Sequence, residues 1–315
     1  MSERIETNSK IAMEVVMHSS KKSKFLLPET VSILDSMALR ARLIVEGYII
    51  GQHRSPFHGF SVEFAEHRSY EVGDEIRHID WKLYGKTDRL YVKRYEEETN
   101  LSSHLILDIS KSMMYSSKNI SKLSYANCLV AALAYLMIKQ QDAVGLVQFS
   151  SKIDSYLLPK SRPSHLNSVL DRLNDDKCGD DTKIEKILHE MAERISKRGL
   201  VILVSDLIDD QQKIIDGLKH FRHNRQEVIV FHLFDRKELN FDFSQRTKFL
   251  DMETGDEIIT EPWHIRSSYK NLMDRKQKYF KAQCQENLID YFPIVTDQSL
   301  ELCLTEYLKK RRKLG

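Results

Sequence analysis

From residue 101 onward, short apolar runs alternate with longer stretches whose apolar positions recur at helical spacing. The apolar runs predict strands at 104–108, 143–149, 153–158, 199–207, 227–234 and 290–295. Between them, the spacing predicts helices at 120–139, 162–174, 182–197, 209–222, 266–286 and 299–311. Residues 246–260 read as a short two-stranded excursion, and 153–158 as a short partner for 143–149. Runs such as LVILV, Leu200–Val204, are continuously apolar, so the strands are buried on both faces. The expected fold is an open, doubly wound, mostly parallel α/β sheet that presents ligands at the carboxyl ends of its strands.

Upstream the pattern changes. Residues 1–29 are polar and read as a flexible or partly helical arm. Val31, Leu34, Met37, Ala38, Ala41 and Val45 then recur at helical spacing over 30–48. Residues 49–100 are rich in glycine, arginine, tyrosine and acids, with turn signals at GDE and GKTD. The expected organisation is an arm (1–29), a helix with a charged extension (30–100) and an α/β domain (101–312).

Composition narrows the function classes. The chain is 41% hydrophobic over 315 residues, enough for one large core or two modest ones. Lysines and arginines nearly cancel the acids, at a net +2, which argues against wholesale nucleic-acid binding. Two local basic runs remain, KKSK at 21–24 and KKRRK at 309–313. They could touch RNA, DNA or acidic lipid in a peripheral association, but the plainer reading is a solvated tail. Cys128, Cys178, Cys284 and Cys303 form no CxxC pair, which points to a reduced compartment without a zinc framework or disulfide scaffold. No run of 18 apolar residues exists and the first residues lack an apolar signal core, so the expectation is a cytoplasmic protein with no transmembrane segment.

The candidate chemistry begins at LILDISKSMMY, Leu105–Tyr115. Asp108 ends the first buried strand, and Ser110 and Ser112 follow at two-residue spacing. One carboxylate and two hydroxyls are hard oxygen donors, suited to magnesium, manganese or calcium and poorly to zinc. The pattern is common by chance and needs partners from other strand ends. Asp206, preceded by Ser205, ends the apolar run 200–204. Two neighbouring buried carboxylates repel, and one is driven toward its protonated form unless a cation neutralises them. Thr182, in the loop CGDDTKIEKIL, is a third candidate. The plain alternative makes Thr182 or Asp181 a helix N-cap, with Glu185 completing a capping box. Met113 and Met114 are expected to seat the hydroxyl loop against a helix.

A second candidate region is HRSYEVGDEIRHIDWK. Arg68, Asp74, Arg77, Asp80 and Lys82 alternate in sign, and Tyr70, Ile76, Ile79 and Trp81 supply apolar positions around a turn at Gly73. One reading is a turn and short helix pinned to the core by salt links and apolar anchors. The other is a partner-docking surface with Arg77 and Trp81 as hot-spot residue types. His53, His58, His67 and His78 crowd the region, but their spacing fits no compact metal motif, and a structural or surface role is expected.

Enzyme classes find little support. A haloacid-dehalogenase-like phosphatase needs an acid two residues after the strand-end aspartate, where this chain has Ser110. No GxxxxGK[ST], GxGxxG or GxSxG motif occurs. A two-metal nuclease could draw on Asp108, Asp206 and Asp209 or Asp210, but serines are odd choices where bridging carboxylates are wanted. A binding module fits better than a hydrolase; a purely structural domain without an ion is the third class.

DISKS, the downstream Thr182 and the strand-end Asp206 resemble the metal-ion-dependent adhesion site of von Willebrand factor A domains. More specifically, EFAEHRSYEVGDEIRHIDWKLYGKTDRLYVKRYEEE followed by LDISKSM, with DMETG at 251–255, resembles the bacterial family called domain of unknown function fifty-eight. The resemblance covers about residues 30–312. It departs from the pattern at the threonine loop, GDDT where many members read GGT. It implies a divalent ion, magnesium first, with Ser110 and Ser112 as direct ligands. Asp108, Asp206 and Thr182 would bind directly or through water. An open coordination position would accept a carboxylate from an acidic-loop client. It also implies a MoxR-type AAA+ ATPase as a partner, with this chain as adaptor or co-chaperone.

Overall fold

A computed structural model describes residues 31, 34, 36–53, 67–69, 81–93, 101–174, 179, 183–250 and 256–314. The apolar runs form one six-stranded sheet. Its strands are β3 (Ser102–Asp108), β4 (Ala143–Phe149), β5 (Ile153–Lys160), β6 (Leu200–Ser205), β7 (Glu227–Phe234) and β10 (Asp290–Val295). They lie in the order β5-β4-β3-β6-β7-β10. All neighbours are parallel except β4 with β5, an antiparallel edge pair. The sheet is therefore mixed but mostly parallel, as the unbroken apolar runs predict. The order reverses between β3 and β6, the point at whose carboxyl ends open α/β sheets place ligands.

The two faces are covered separately. Because strand side chains alternate, Leu105 and Leu107 point to one face and Ile106 to the other. The first face carries helix α3 (Lys122–Lys139), with α1 (Met37–His53), α4 (Pro163–Asn174) and α9 (Glu301–Leu314). The second carries α5 (Ile184–Arg194), α6 (Gln211–His223) and α8 (Pro262–Glu286). Two cores of this kind make the fold doubly wound. α3 is buried along most of its length because it lies against the centre of the sheet, with further helices over it. That burial accounts for its nearly unbroken apolar sequence.

Several boundaries differ from expectation for local reasons. The N-terminal helix runs Met37–His53 and buries Met37, Ala41, Ile44, Val45 and Tyr48, while Ala38 faces outward. α8 starts at Pro262, whose fixed φ suits a first helical turn, four residues before the periodic pattern begins. A short helix not expected from the pattern, α7 (Arg236–Asn240), follows β7 and is held by a capping box between Asp235 and Glu238. The two-stranded excursion is present as β8 (Thr247–Leu250) against β9 (Glu257–Thr260).

The basic run at 309–313 is not a solvated tail. Lys310 Nζ bridges Glu227 at 2.7 Å and Asp290 at 2.9 Å. Arg311 donates from Nε at 2.7 Å and Nη2 at 3.1 Å to the fully buried Asp142. These cations pin α9 to the amino-terminal end of the sheet. Cys128, Cys284 and Cys303 are free, buried thiols; Cys178 lies outside the described residues. No described helix is long and apolar enough to cross a membrane.

The chain divides into two compact units, residues 1–54 with 101–315, and residues 55–100. In the second, β1 (His67–Ser69) pairs antiparallel with β2 (Tyr91–Lys93), and α2 (Trp81–Thr87) lies between them in sequence. Trp81 is 57% exposed and meets Tyr84 edge-on at 6.1 Å. Arg68 lies in β1 and Lys82 in α2, while Tyr70, Gly73, Asp74, Ile76, Arg77, Ile79 and Asp80 lie outside the described residues. So do His58 and His78; His53 ends α1 and His67 begins β1.

Candidate functional site

The site is built on the last residue of β3 and the turn behind it. The chain leaves β3 at Asp108 and enters a short 3-10 turn, Lys111–Met114, with Ser110 as its N-cap. Ser110 Oγ makes no capping bond. It lies instead 3.1 Å from Ser112 Oγ. The two-residue spacing thus brings both hydroxyls to one place. Met113 is fully buried and seats the turn, whereas Met114 is 41% exposed and does not.

Asp108 is fully buried, and both its oxygens are occupied. The Ser110 N–H donates to Oδ1 at 2.9 Å, and Ser205 Oγ donates to Oδ2 at 2.6 Å. Ser205 in turn accepts from the Leu207 N–H at 2.9 Å. The register of β3 and β6, Leu107 beside Val204, sets the two strand ends side by side and places Ser205 against Asp108. Ser205 thus ties the two strand ends together, a role its position before Asp206 did not reveal. Burial, and then the charge of Asp206, push the Asp108 carboxyl up to about 7, against the lowering effect of its serine bonds.

Asp206 is also buried. Its Oδ2 accepts from Lys122 Nζ at 2.8 Å, while its Oδ1 has no hydrogen-bond partner among the described residues. Lys122, in the first turn of α3, also reaches Glu238 Oε1 at 3.0 Å with its own side chain 1% exposed. Burial would lower the lysine, but Asp206 and Glu238 outweigh it and hold it above the usual range. One of the two strand-end acids, Asp206, therefore does meet a cation, and it is an ammonium from the chain itself. Sequence reading missed Lys122 because a lysine at a helix end reads as a surface residue. The available signal was its place in the first turn, where a cation opposes the helix dipole.

Further groups support Asp206 from below. His232 is buried, and its Nε2–H donates to the Asp206 carbonyl at 2.9 Å, while Nδ1 accepts from the Tyr291 hydroxyl at 2.7 Å. The carbonyl can only accept, which fixes this tautomer. Burial holds His232 neutral, well below its ordinary range. Lys276 Nζ on α8 donates to the Leu207 carbonyl at 2.9 Å.

Thr182 and Asp181 lie outside the described residues, but their loop is tethered at both sides. The Gly179 N–H donates to the Ile109 carbonyl at 2.8 Å. A Cβ at Gly179 would sit 2.2 Å from Ser150 Cβ, so only glycine allows this approach. At the far side, the N-cap of α5 is Lys183, and the Ile184 N–H is satisfied by Asp209 Oδ2 at 3.0 Å. Asp209, from the loop after β6, thus supplies a side-chain acceptor to the first turn of α5. Asp210 caps α6 through the Lys213 N–H at 3.1 Å. Both carboxylates offered for a two-metal nuclease are therefore engaged as caps.

The donor set suits a hard cation. Two ligands on adjacent corners of an octahedron with bonds of about 2.1 Å lie about 3.0 Å apart. The Ser110–Ser112 separation of 3.1 Å matches that edge. Asp206 Oδ1 is a buried acceptor in need of a donor or an ion. Among the described residues no group of three or more His, Cys, Asp or Glu forms a metal cluster, so any ion here would rely on hydroxyls.

Comparison with known proteins places the chain. It is 19% identical over 233 residues to the uncharacterized proteins Rv1480 of Mycobacterium tuberculosis and Mb1516 of Mycobacterium bovis, covering 72% of each chain. Among solved structures it is similar to the protein BatB from Bacteroides thetaiotaomicron, at 15% identity and a TM-score of 0.44 over 68% of this chain and 99% of that one. It is also similar to the SpRpn10 VWA domain, at 13% identity and a TM-score of 0.40 over 65% and 95%. These structural likenesses are too distant to bear on function. Residues 66–279 match a family profile, spanning the 67–93 segment, the main sheet apart from β10, and the β8–β9 pair. The chain accordingly belongs to the family described as Protein of unknown function DUF58.

Proposed function

We propose that this chain is a divalent-cation-dependent protein–protein interaction module. Magnesium, or manganese or calcium in its place, is held at the carboxyl ends of β3 and β6. Ser110 and Ser112 supply direct oxygen ligands. Asp206 supplies its free Oδ1, and Asp108 acts through water because both of its oxygens already accept hydrogen bonds. Thr182 completes the set from its loop. An ion held by so few protein charges stays electrophilic and recruits an Asp or Glu from an acidic-loop client. The partner class, a MoxR-type AAA+ ATPase with its client, and the adaptor role in the cytoplasm come from the family resemblance. The observation that carries this reading is the buried Oδ1 of Asp206, without a hydrogen-bond partner among the described residues, at the end of the strand beside β3, whose following turn holds a hydroxyl pair with octahedral spacing.

Binding is favoured over catalysis because each acid near the site has a structural partner: Asp108 with two serines, Asp206 with Lys122, and Asp209 and Asp210 with helix ends. One observation favours a second reading, a structural domain that no longer needs an ion: Lys122 already supplies a cation to Asp206. Thermal unfolding separates the two. On the first reading, millimolar magnesium or manganese raises the melting temperature by mass action, and the S110A/S112A variant folds but loses that rise. No shift in the wild-type protein sinks the divalent reading and leaves the structural one.

A further inference from the structure

Asp206 is shared between two demands. One oxygen holds an ammonium at 2.8 Å, and the other, buried, has no hydrogen-bond partner among the described residues. The ammonium is not there for solvation or for helix stability. Lys122 is 1% exposed, so it has given up its hydration. It also stands in the first turn of α3, where the helix dipole disfavours a cation. What holds it is the pair of carboxylates, Asp206 from the end of β6 and Glu238 from α7. Glu238 is fixed in turn, since its other oxygen accepts from the Asp235 N–H at 3.2 Å in the capping box. Lys122 therefore sits between one carboxylate that belongs to the strand-end site and one that does not.

We propose that Lys122 is a tethered counter-ion that sets the affinity of this site for divalent cations. It competes for Asp206 in the ion-free protein and is handed to Glu238 when an ion arrives. The inference rests on the divalent-site reading above. With Lys122 in place, the strand-end carboxylates are partly neutralised before any ion binds. The divalent ion then binds weakly and reversibly, and more of its charge is left for an incoming carboxylate. Lys276, hydrogen-bonded to the Leu207 carbonyl, adds a second positive charge from α8 and deepens the effect. Removing one unit charge a few ångströms from a divalent ion is worth at least about tenfold in affinity, even with strong screening.

The test is manganese binding, followed by spin resonance and by calorimetry, on the full-length wild type and on K122Q, E238Q and S110A/S112A. The expected result is binding at least about tenfold tighter in K122Q and several-fold weaker in E238Q, which removes the acceptor for the displaced lysine. Binding should be lost in S110A/S112A. Binding in K122Q with none in the wild type overturns both the inference and the site reading, because the lysine then replaces the ion instead of tuning its affinity. Wild-type binding with K122Q equal or weaker overturns the inference and leaves the site reading intact. An E238Q affinity equal to or above wild type overturns the hand-over. No binding in either the wild type or K122Q removes the site reading and the inference together. If K122Q does not fold in EDTA, millimolar manganese must restore its fold, because the ion replaces the missing cation. Failure to do so overturns the inference.

Discussion

The protonation of Asp108 makes the ion-free protein pH-sensitive in an unusual direction. Burial, with Asp206 beside it, raises this carboxyl from 3.8 to about 7. A group whose folded-state value is raised holds its proton more tightly in the folded chain. Its contribution is fully present below about pH 4 and is lost as pH rises through about 7. A rise of that size corresponds to about 4 kcal/mol, the most this one group can contribute. Asp108→Asn has no charge to titrate and keeps the shape. With EDTA present, the stability of wild type minus that of D108N should fall by a large part of that amount between about pH 4.5 and 8. In melting temperature this is about 5 °C for a chain of this size. Taking the difference between variants removes the opposing effect of His232, which is held neutral in the folded chain and takes up a proton on unfolding in acid. Urea unfolding followed by circular dichroism across that range is the assay. A difference that stays flat with pH would show that Asp108 is ionised throughout and that the carboxylate pair is not under electrostatic stress.

Two further outcomes test the frame around the site. Arg311→Ala strips the two guanidinium bonds from buried Asp142 and should cost about 3 kcal/mol, read by urea unfolding; a loss under about 0.5 kcal/mol would return the basic run to the status of a tail. Gly179→Ala places a Cβ 2.2 Å from Ser150 Cβ and must move the loop that carries Thr182. The rise in melting temperature with manganese should shrink by half or more, while the ion-free value changes by only about 2 °C. An unchanged ion response would remove that loop from the site.

The four central strands, β4, β3, β6 and β7, were legible from apolar runs, because a strand buried on both faces has little room for polar side chains; the half-exposed edge strands β5 and β10 were legible from shorter apolar stretches. The α7 helix was not, since five residues are too few to show a period. Boundaries such as the start of α8 depended on a proline rather than on the pattern. In the site, Asp108, Ser110, Ser112 and Asp206 were legible because each ends a buried strand or follows one at close spacing. Ser205, Lys122, Glu238, Asp209 and Lys276 were not. Their partners lie far away in sequence, 84 residues in the case of Lys122 and Asp206.

The sequence by itself determined the α/β layering, the strand ends that carry acids, and the oxygen-rich character of the turn after β3. These follow from local apolarity and from short spacings along the chain. Only the tertiary structure decided which cation meets the carboxylates. Two buried acids call for positive charge, but local sequence cannot say whether it comes from solution or from another segment. The side-by-side ends of β3 and β6, with the first turn of α3 against them, bring an ammonium within 2.8 Å of Asp206 and leave its other oxygen without a hydrogen-bond partner among the described residues. The distribution of charge in this site is a property of the packing.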